Sequence, residues 1–321
     1  MNFSGIVRPA LCGAVLLAVP VQAIACSSCG CSLSSDWSSQ GYSAGPGFLM
    51  DLRYDYFDQN QLRVGTGAVD RGSIVLPSDR EIQQKTVNKN TTVALDYSSA
   101  SSWGVTVLVP YFDRFHTTIA PGDADTSTSS SKSVGDVRIL GRYHGIFDDH
   151  GTGVQFGVKL PTGSIRTNFF DGPQAGELLD RGLQPGTGTS DLLVGLYHFA
   201  AMSRDWDYFA QALVQQPMNS RDGFRPGTGI NVNAGVRYVA SETVVPHLQV
   251  NIRSEGREAG ANADVENSGA TLVHLSPGAT ISLGKAATLY GFVQIPLYQR
   301  VNGYQIEPRY SVSIGIRYAF K

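Results

Sequence analysis

Three cysteines open the mature part of this chain, in the run Cys26-Ser27-Ser28-Cys29-Gly30-Cys31, and none follows them. Thiols at that spacing can close a disulfide between Cys26 and Cys29 with Cys31 left over, or hold a soft metal, Cu or Zn. Lipid modification of Cys26 is a third reading, against which Ala23 stands where leucine is usual. A zinc ribbon would need a second pair of ligands, and the sequence offers none. His144, His247 and His274 fall on separate segments, without the i, i+2 or i, i+4 pairing that metal sites favour. What remains is a set of charges: Asp51, Arg53, Asp55, Asp96, Asp136, Arg138, Arg142, Lys159, Arg237, Arg253, Arg309 and Arg317, with the three histidines among them. Such groups either line a path for a solute or pair across neighbouring strands and fill a narrow interior.

The elements that carry these charges show what must position them. Phe48, Met50, Leu52, Tyr54 and Tyr56 alternate with Leu49, Asp51, Arg53 and Asp55, so one face of the first strand is apolar and the other charged. The last strand repeats the pattern: Tyr310, Val312, Ile314, Ile316, Tyr318 and Phe320 on one side, Ser311, Ser313, Gly315, Arg317 and Ala319 on the other. Between them the alternation recurs at strand spacing, for a total of about twelve strands. Asp191 to Phe199 is apolar on both faces and does not declare its orientation. An all-β, transmembrane, antiparallel up-and-down β-barrel follows, because in lipid only a closed sheet leaves no backbone edge unpaired.

Ala10 to Val19 is an apolar run of about ten residues, too short to span a bilayer as a helix. Arg8 precedes it, and Ala23-Ile24-Ala25 offers small residues for cleavage before Cys26. Residues 1–25 read as a signal peptide, 26–46 as a Cys-containing periplasmic arm and 47–321 as the barrel. Short connections (Ser98 to Ser102, Asp148 to Thr152, Ala201 to Asp205, Ala240 to Thr243, Gly284 to Ala287) alternate with long ones (Gln59 to Gln84, Thr117 to Ser133, Pro161 to Gly188, Pro217 to Gly229, Ser254 to Ser268, Arg300 to Pro308). Short turns belong to the periplasm and long loops to the exterior, which puts both termini in the periplasm of a Gram-negative bacterium. The Ser/Thr run Thr126 to Ser133 reads as a mobile loop tip. The expected partners are outer-membrane lipid, the assembly machinery that reads the aromatic end of the last strand, and a small solute.

Hydrophobic residues make up 42% of the chain and the formal net charge is −2. A barrel hides only alternate residues in lipid and so looks compositionally soluble, and the absence of a basic block argues against nucleic acid as a partner.

Gly135-Asp136-Val137 with Gly141-Arg142-Tyr143, then Lys159-Leu160-Pro161-Thr162-Gly163, then Pro185 to Asp191 with Gly195, resemble the outer-membrane proteins of the MetA pathway of phenol degradation over roughly residues 130 to 320. The resemblance implies a channel for a small aromatic or hydrophobic compound; the residues themselves lead us to expect no catalytic centre and no bound cofactor. The alternative is a structural or metal- and thiol-binding outer-membrane protein acting through Cys26, Cys29 and Cys31. An outer-membrane lipid hydrolase needs a Ser and a His on the outer wall, and His274 and Ser276 share the face that alternation turns inward.

Overall fold

The computed structural model describes residues 45–146 and 151–320. The expected leader, Cys26, Cys29 and Cys31, and most of the turn from Asp148 to Thr152 lie outside them. The described chain is almost all strand: β1 (Gly47–Gly65), β2 (Gly67–Ala68), β3 (Ile82–Ser98), β4 (Trp103–Ile119), β5 (Ser127–Val134), β6 (Arg138–Tyr143), β7 (Thr152–Lys159), β8 (Phe169–Asp171), β9 (Asp191–Ala201), β10 (Trp206–Pro217), β11 (Gly229–Tyr238), β12 (Val244–Glu255), β13 (Ala270–Leu283) and β14 (Ala287–Ala319). No helix among the described residues is long and apolar enough to cross a membrane.

The sheet closes on itself. β3 pairs with β1 and β4, and from β4 the ladder runs through β6, β7, β9, β10, β11, β12, β13 and β14 back to β1, every pair antiparallel. That ring has eleven members, and an odd ring cannot be antiparallel throughout, because direction reverses at every step. β14 resolves the conflict. Its first half pairs with β13 (Leu283 with Ala287, Ala270 with Val301) and its second half with β1 (Gly65 with Val301, Leu49 with Ala319). The halves lie side by side: Ser311 Oγ donates to Gln294 Oε1 (2.8 Å) and Gln299 Nε2 to the Pro308 carbonyl (3.0 Å). Gly303, with φ +53°, turns the chain between them, in the left-handed region that glycine enters without strain. β14 is thus two passes, and the wall has twelve, the expected even number.

The wall strands follow the alternation except at residues 305–310 of β14. On β1 Asp51, Arg53 and Asp55 are buried, while Leu52 and Tyr54 are 40% exposed. Asp191 to Phe199 is settled too: Leu192, Val194 and Leu196 face out, and Leu193 and Tyr197 are buried. At the end where β1 begins and β14 finishes, outward aromatic rings form a belt, with contacts Phe48–Tyr97 (4.9 Å), Tyr97–Trp103 (5.4 Å), Trp206–Tyr238 (5.1 Å) and Tyr318–Phe320 (5.1 Å). Amphipathic rings collect where hydrocarbon meets water. Tyr54, Tyr56, Tyr111 and Tyr310 stand outward toward the other end of β1, β4 and β14. From Phe48 to Tyr56 a tilted strand climbs roughly 20 Å, close to the apolar height of an outer membrane.

Two expectations are corrected. Thr126 to Ser133 is not a loose tip: Ser127–Val134 forms β5 along the far half of β4, from Thr118 with Ser127 to Tyr111 with Val134, and Ser127, Ser129 and Ser131 are buried. Serine and threonine signal a loop only when nothing pairs with their backbone. Arg309, expected on the inner face, is exposed beside Tyr310, because the register between β1 and β14 slips around Gln59 and Pro308.

Candidate functional site: the barrel interior and its anchored loop

Of the charges singled out in the sequence, Asp51, Arg53, Asp55, Asp96, Asp136, Arg142, Lys159, Arg237, His247, His274 and Arg317 are buried on the inner side, and Arg138, His144 and Arg253 are half-buried. They form pairs both across neighbouring strands and between positions two apart on one strand. Arg142 binds Asp96 with both terminal nitrogens and reaches Ser98 Oγ (2.6 Å), and Thr106 Oγ1 donates to Asp96 Oδ2 (2.5 Å). Arg53 Nε lies 2.9 Å from Asp55 Oδ2, and Asp55 also accepts from Ser313 Oγ (2.5 Å). Tyr290 OH donates to Asp51 Oδ1 (2.9 Å); Arg237 binds Asp207 (2.5 and 2.8 Å); Arg253 binds Glu255. Neutral rungs complete the ladder, with Gln211 donating to Gln155 (2.7 Å) and Asn251 to Asn233 (2.6 Å). A buried charge without a partner would cost several kcal/mol, so this lining needs both signs.

The histidines do not converge. His247 meets the Phe292 ring edge-on at 4.3 Å, His274 lies opposite Asn251, and the His144 amide donates to Ser102 in the turn after β6. No group of three His, Cys, Asp or Glu among the described residues could hold a metal. Ser276 Oγ donates to Asn251 Oδ1 (2.6 Å) on the inner face, so His274 and Ser276 supply no outer-wall pair. The outward His198 sits between Thr152 Oγ1 (2.7 Å) and Tyr208 OH (3.0 Å) near the aromatic belt, with its polar atoms satisfied.

The runs Gly135-Asp136-Val137, Lys159 to Gly163 and Pro185 to Asp191, far apart in the chain, meet at one place on the inner wall. Lys159 Nζ lies 2.8 Å from Asp191 Oδ2 and 3.3 Å from Asp136 Oδ2, with all three side chains at or below 7% exposure. Asp136 accepts from the Gly163 amide (3.0 Å) and from Thr187 N and Oγ1 (2.9 and 2.7 Å). Thr162 Oγ1 accepts from the Val137 amide and donates to the Gly135 carbonyl, both at 2.9 Å. The two strands of loop then cross closely: a Cβ on Gly163 would stand 2.6 Å from Gly186 Cα, and one on Gly186 would stand 2.3 Å from Gly163 O. Only glycine fits at either position.

From that base the connection Pro161 to Gly188 reaches inward across the mouth. Arg114, on the inner face of β4, donates from Nε to Asn88 Oδ1 (2.7 Å) and from Nη1 to the Leu183 carbonyl (2.6 Å). Phe169, Leu179 and Leu183 form a buried apolar cluster, with the His116 ring 6.4 Å from Phe169. On the opposite side Arg181 lies over the Phe224 ring (5.0 Å), 3.7 Å from Asp222, both on the β10–β11 connection. Two acids join the packing. Glu81, before β3, accepts from Thr118 Oγ1 (2.6 Å); burial and the nearby Asp180 push its carboxyl up to about 8. Asp180 is itself exposed at the mouth, and the crowded interior around it, with Asp264, raises its carboxyl to about 6. The sequence reading named none of Glu81, Arg114, His116, Asp180, Arg181 or Phe224. The mixed alternation Asp113-Arg114-Phe115-His116 was the only local sign, since the others sit in connections without a period.

The solved COG4313 outer membrane channel from Pseudomonas putida F1 shares this architecture, with a TM-score of 0.64 over 90% of this chain and 100% of that one. This chain has the fold of an outer-membrane channel. At 11% identity the likeness is one of fold. The TodX monoaromatic hydrocarbon channel deltaS2 mutant (TM-score 0.47, 10% identity, 86% of this chain and 91% of that one) and the KdgM porin in complex with disordered oligogalacturonate (0.42, 9%, 84% and 99%) are looser likenesses and carry no weight. No family model and no curated protein matches the chain.

Proposed function

We propose that this barrel is an outer-membrane channel through which a small aromatic or hydrophobic compound diffuses, with the connection Pro161 to Gly188 as its constriction. The observation that carries the reading is the loop's anchorage: its base is tied to the wall by the buried Lys159, Asp136 and Asp191, and its residues 180–184 stand in the mouth between Arg114 and Phe224. Ionic tethers at the base of an inward loop hold it as a filter across the lumen, where pore dimensions and lining charge select the solute. The apolar cluster of Phe169, Leu179 and Leu183 next to His116 and Arg181 suits a compound with a hydrophobic body and one polar group, in keeping with the resemblance to the MetA-pathway proteins.

In this reading the end with short turns and both chain ends faces the periplasm, the long connections face outward, and the assembly machinery engages the final Tyr318 and Phe320. Liposome uptake of phenol and toluene, taken as the excess over protein-free liposomes because both also cross lipid unaided, and compared with glucose, tests the channel. Replacing residues 166–183 with a short Gly/Ser linker is expected to raise glucose entry and to erase the preference for the aromatic compounds. No excess over protein-free liposomes for any of the three, with parent or shortened protein, would end the channel reading.

A further inference from the structure

The chain has six lysines. Lys159 faces inward, Lys285 lies in a turn at the short-connection end, and Lys321 is the last residue. The other three, Lys85, Lys89 and Lys132, share one patch of the outer wall. Register places Lys89 of β3 beside Asp113 of β4, and Asp113 beside Lys132 of β5, in a single row across three strands. Lys85 stands four residues farther along β3. The row sits among outward aromatic residues: Tyr56 of β1 pairs with Lys89, and on β4 Tyr111 stands one outward step before Asp113 and Phe115 one outward step beyond it. Two of the lysines are held by acids on neighbouring strands, Lys85 by Asp58 (3.1 Å) and Lys132 by Asp113 (3.2 Å), yet they remain 45% and 64% exposed. Lys89 is exposed and makes no ion pair or hydrogen bond among the described residues. On the far side of the barrel the corresponding outward positions are Leu192, Val214, Ile230 and Ile252, all apolar.

We infer that this patch is a docking surface for the phosphorylated headgroup of an outer-leaflet glycolipid. The argument is one of level and chemistry. Lysines on a lipid-facing wall are unfavourable in the hydrocarbon and favourable at the headgroups, where ammonium groups meet phosphate oxygens. Aromatic rings at the edge of the apolar band fix that level. Asp58 and Asp113 orient the ammonium groups without neutralising them all, since three cations face two anions. The inference uses the proposed orientation only to name the leaflet.

The experiment places the purified protein in phosphatidylcholine nanodiscs doped with a bisphosphorylated glucosamine-disaccharide lipid or with the same lipid dephosphorylated, and counts retained lipid by native mass spectrometry. The parent is expected to prefer the phosphorylated form about tenfold, the combined Lys85→Gln, Lys89→Gln and Lys132→Gln variant to lose the preference, and the Asp58→Asn, Asp113→Asn variant to strengthen it. Equal retention of both lipids by the parent, or an undiminished preference in the glutamine variant, overturns the proposal. So does full displacement of the lipid by millimolar inorganic phosphate, which would mark a site for any free anion. If the glutamine variant does not assemble, the asparagine variant decides: unchanged or weaker preference overturns the idea. Headgroup preference in a nanodisc does not depend on which way the barrel sits in a cell, so its outcome separates from that of the orientation.

Discussion

Lys159 is the residue on which the inner loop depends. It lies between Asp136 and Asp191, and Thr187 Oγ1 stands 2.5 Å from its ammonium. Lys159→Met would leave two buried carboxylates without a cation, a loss of about 3–5 kcal/mol by the usual penalty for breaking a buried pair. Denaturant unfolding of the parent and variant in detergent measures it, and adding Asp136→Asn and Asp191→Asn to Lys159→Met should restore most of the loss. Recovery would show that the acids need the cation, whereas no recovery would assign the effect to packing. Gly163→Ala is expected to act on the loop alone, since its Cβ meets backbone 2.6 Å away: the 161–188 connection should become more open to protease with little change in the barrel's unfolding midpoint. A charge on the outer wall behaves differently. Phe156, 59% exposed and packed over Gly141, faces the middle of the apolar band, and Phe156→Arg should cost about 2–4 kcal/mol in a bilayer. Tyr143 closes β6 opposite Trp103 at the aromatic belt, so the same change there should cost about 1 kcal/mol or less.

At the scale of elements, the connection from Pro161 to Gly188 is fixed at its base, packed through Phe169, Leu179 and Leu183, and flanked by the half-buried Glu81 and the exposed Asp180. Glu81 rises from its ordinary 4.5 to about 8 and Asp180 from 3.8 to about 6. The groups facing them are Asp264 from the β12–β13 connection, Thr118 of β4 and Gln83 of β3. With the packed mouth holding protons that an opened one releases, its stability is full below about pH 4.5 and declines as pH rises toward about 8. Protection of the amides of residues 161–188, taken relative to the intrinsic exchange rate at each pH, is expected to fall between pH 5 and pH 8, and Glu81→Gln with Asp180→Asn to flatten that dependence. Protection that rises with pH would reject the role described for these acids. The strands that hold this loop were legible from alternation, because neighbours two apart in sequence share a face. The loop's path was not, since its partners are set by ladders closing elsewhere: Asp136 meets Thr187 across 51 residues, and Arg114 meets Leu183 across 69.

At the scale of the whole molecule, one asymmetry organises the rest: β1, β3 and β4 run 17 to 19 residues, while β6 and β7 stop after 6 and 8. The tall sector carries β5 and the lysine patch; the low sector is where the 161–188 connection enters the mouth. Orientation can be read by labelling single cysteines on intact cells in a background where Cys26, Cys29 and Cys31 are serine. Cysteine at the exposed Ser130 should react with an impermeant maleimide and cysteine at Lys285 should not; the reverse would turn the barrel over.

The amino-acid order alone determined the sheet, its two faces and the even number of passes, because a lipid boundary imposes a period of two on every strand and a short local window contains that information. It also held the three runs around Asp136, Lys159 and Asp191, though only as separate pieces. Tertiary structure decided what they do together. Closure of the wall brings the pieces to one buried cluster, β14 reverses on Gly303 to satisfy antiparallel pairing around the ring, and Ser127–Val134 becomes a strand because β4 extends far enough to pair with it. Each of these outcomes depends on ladders between residues distant in sequence, which no local period can specify.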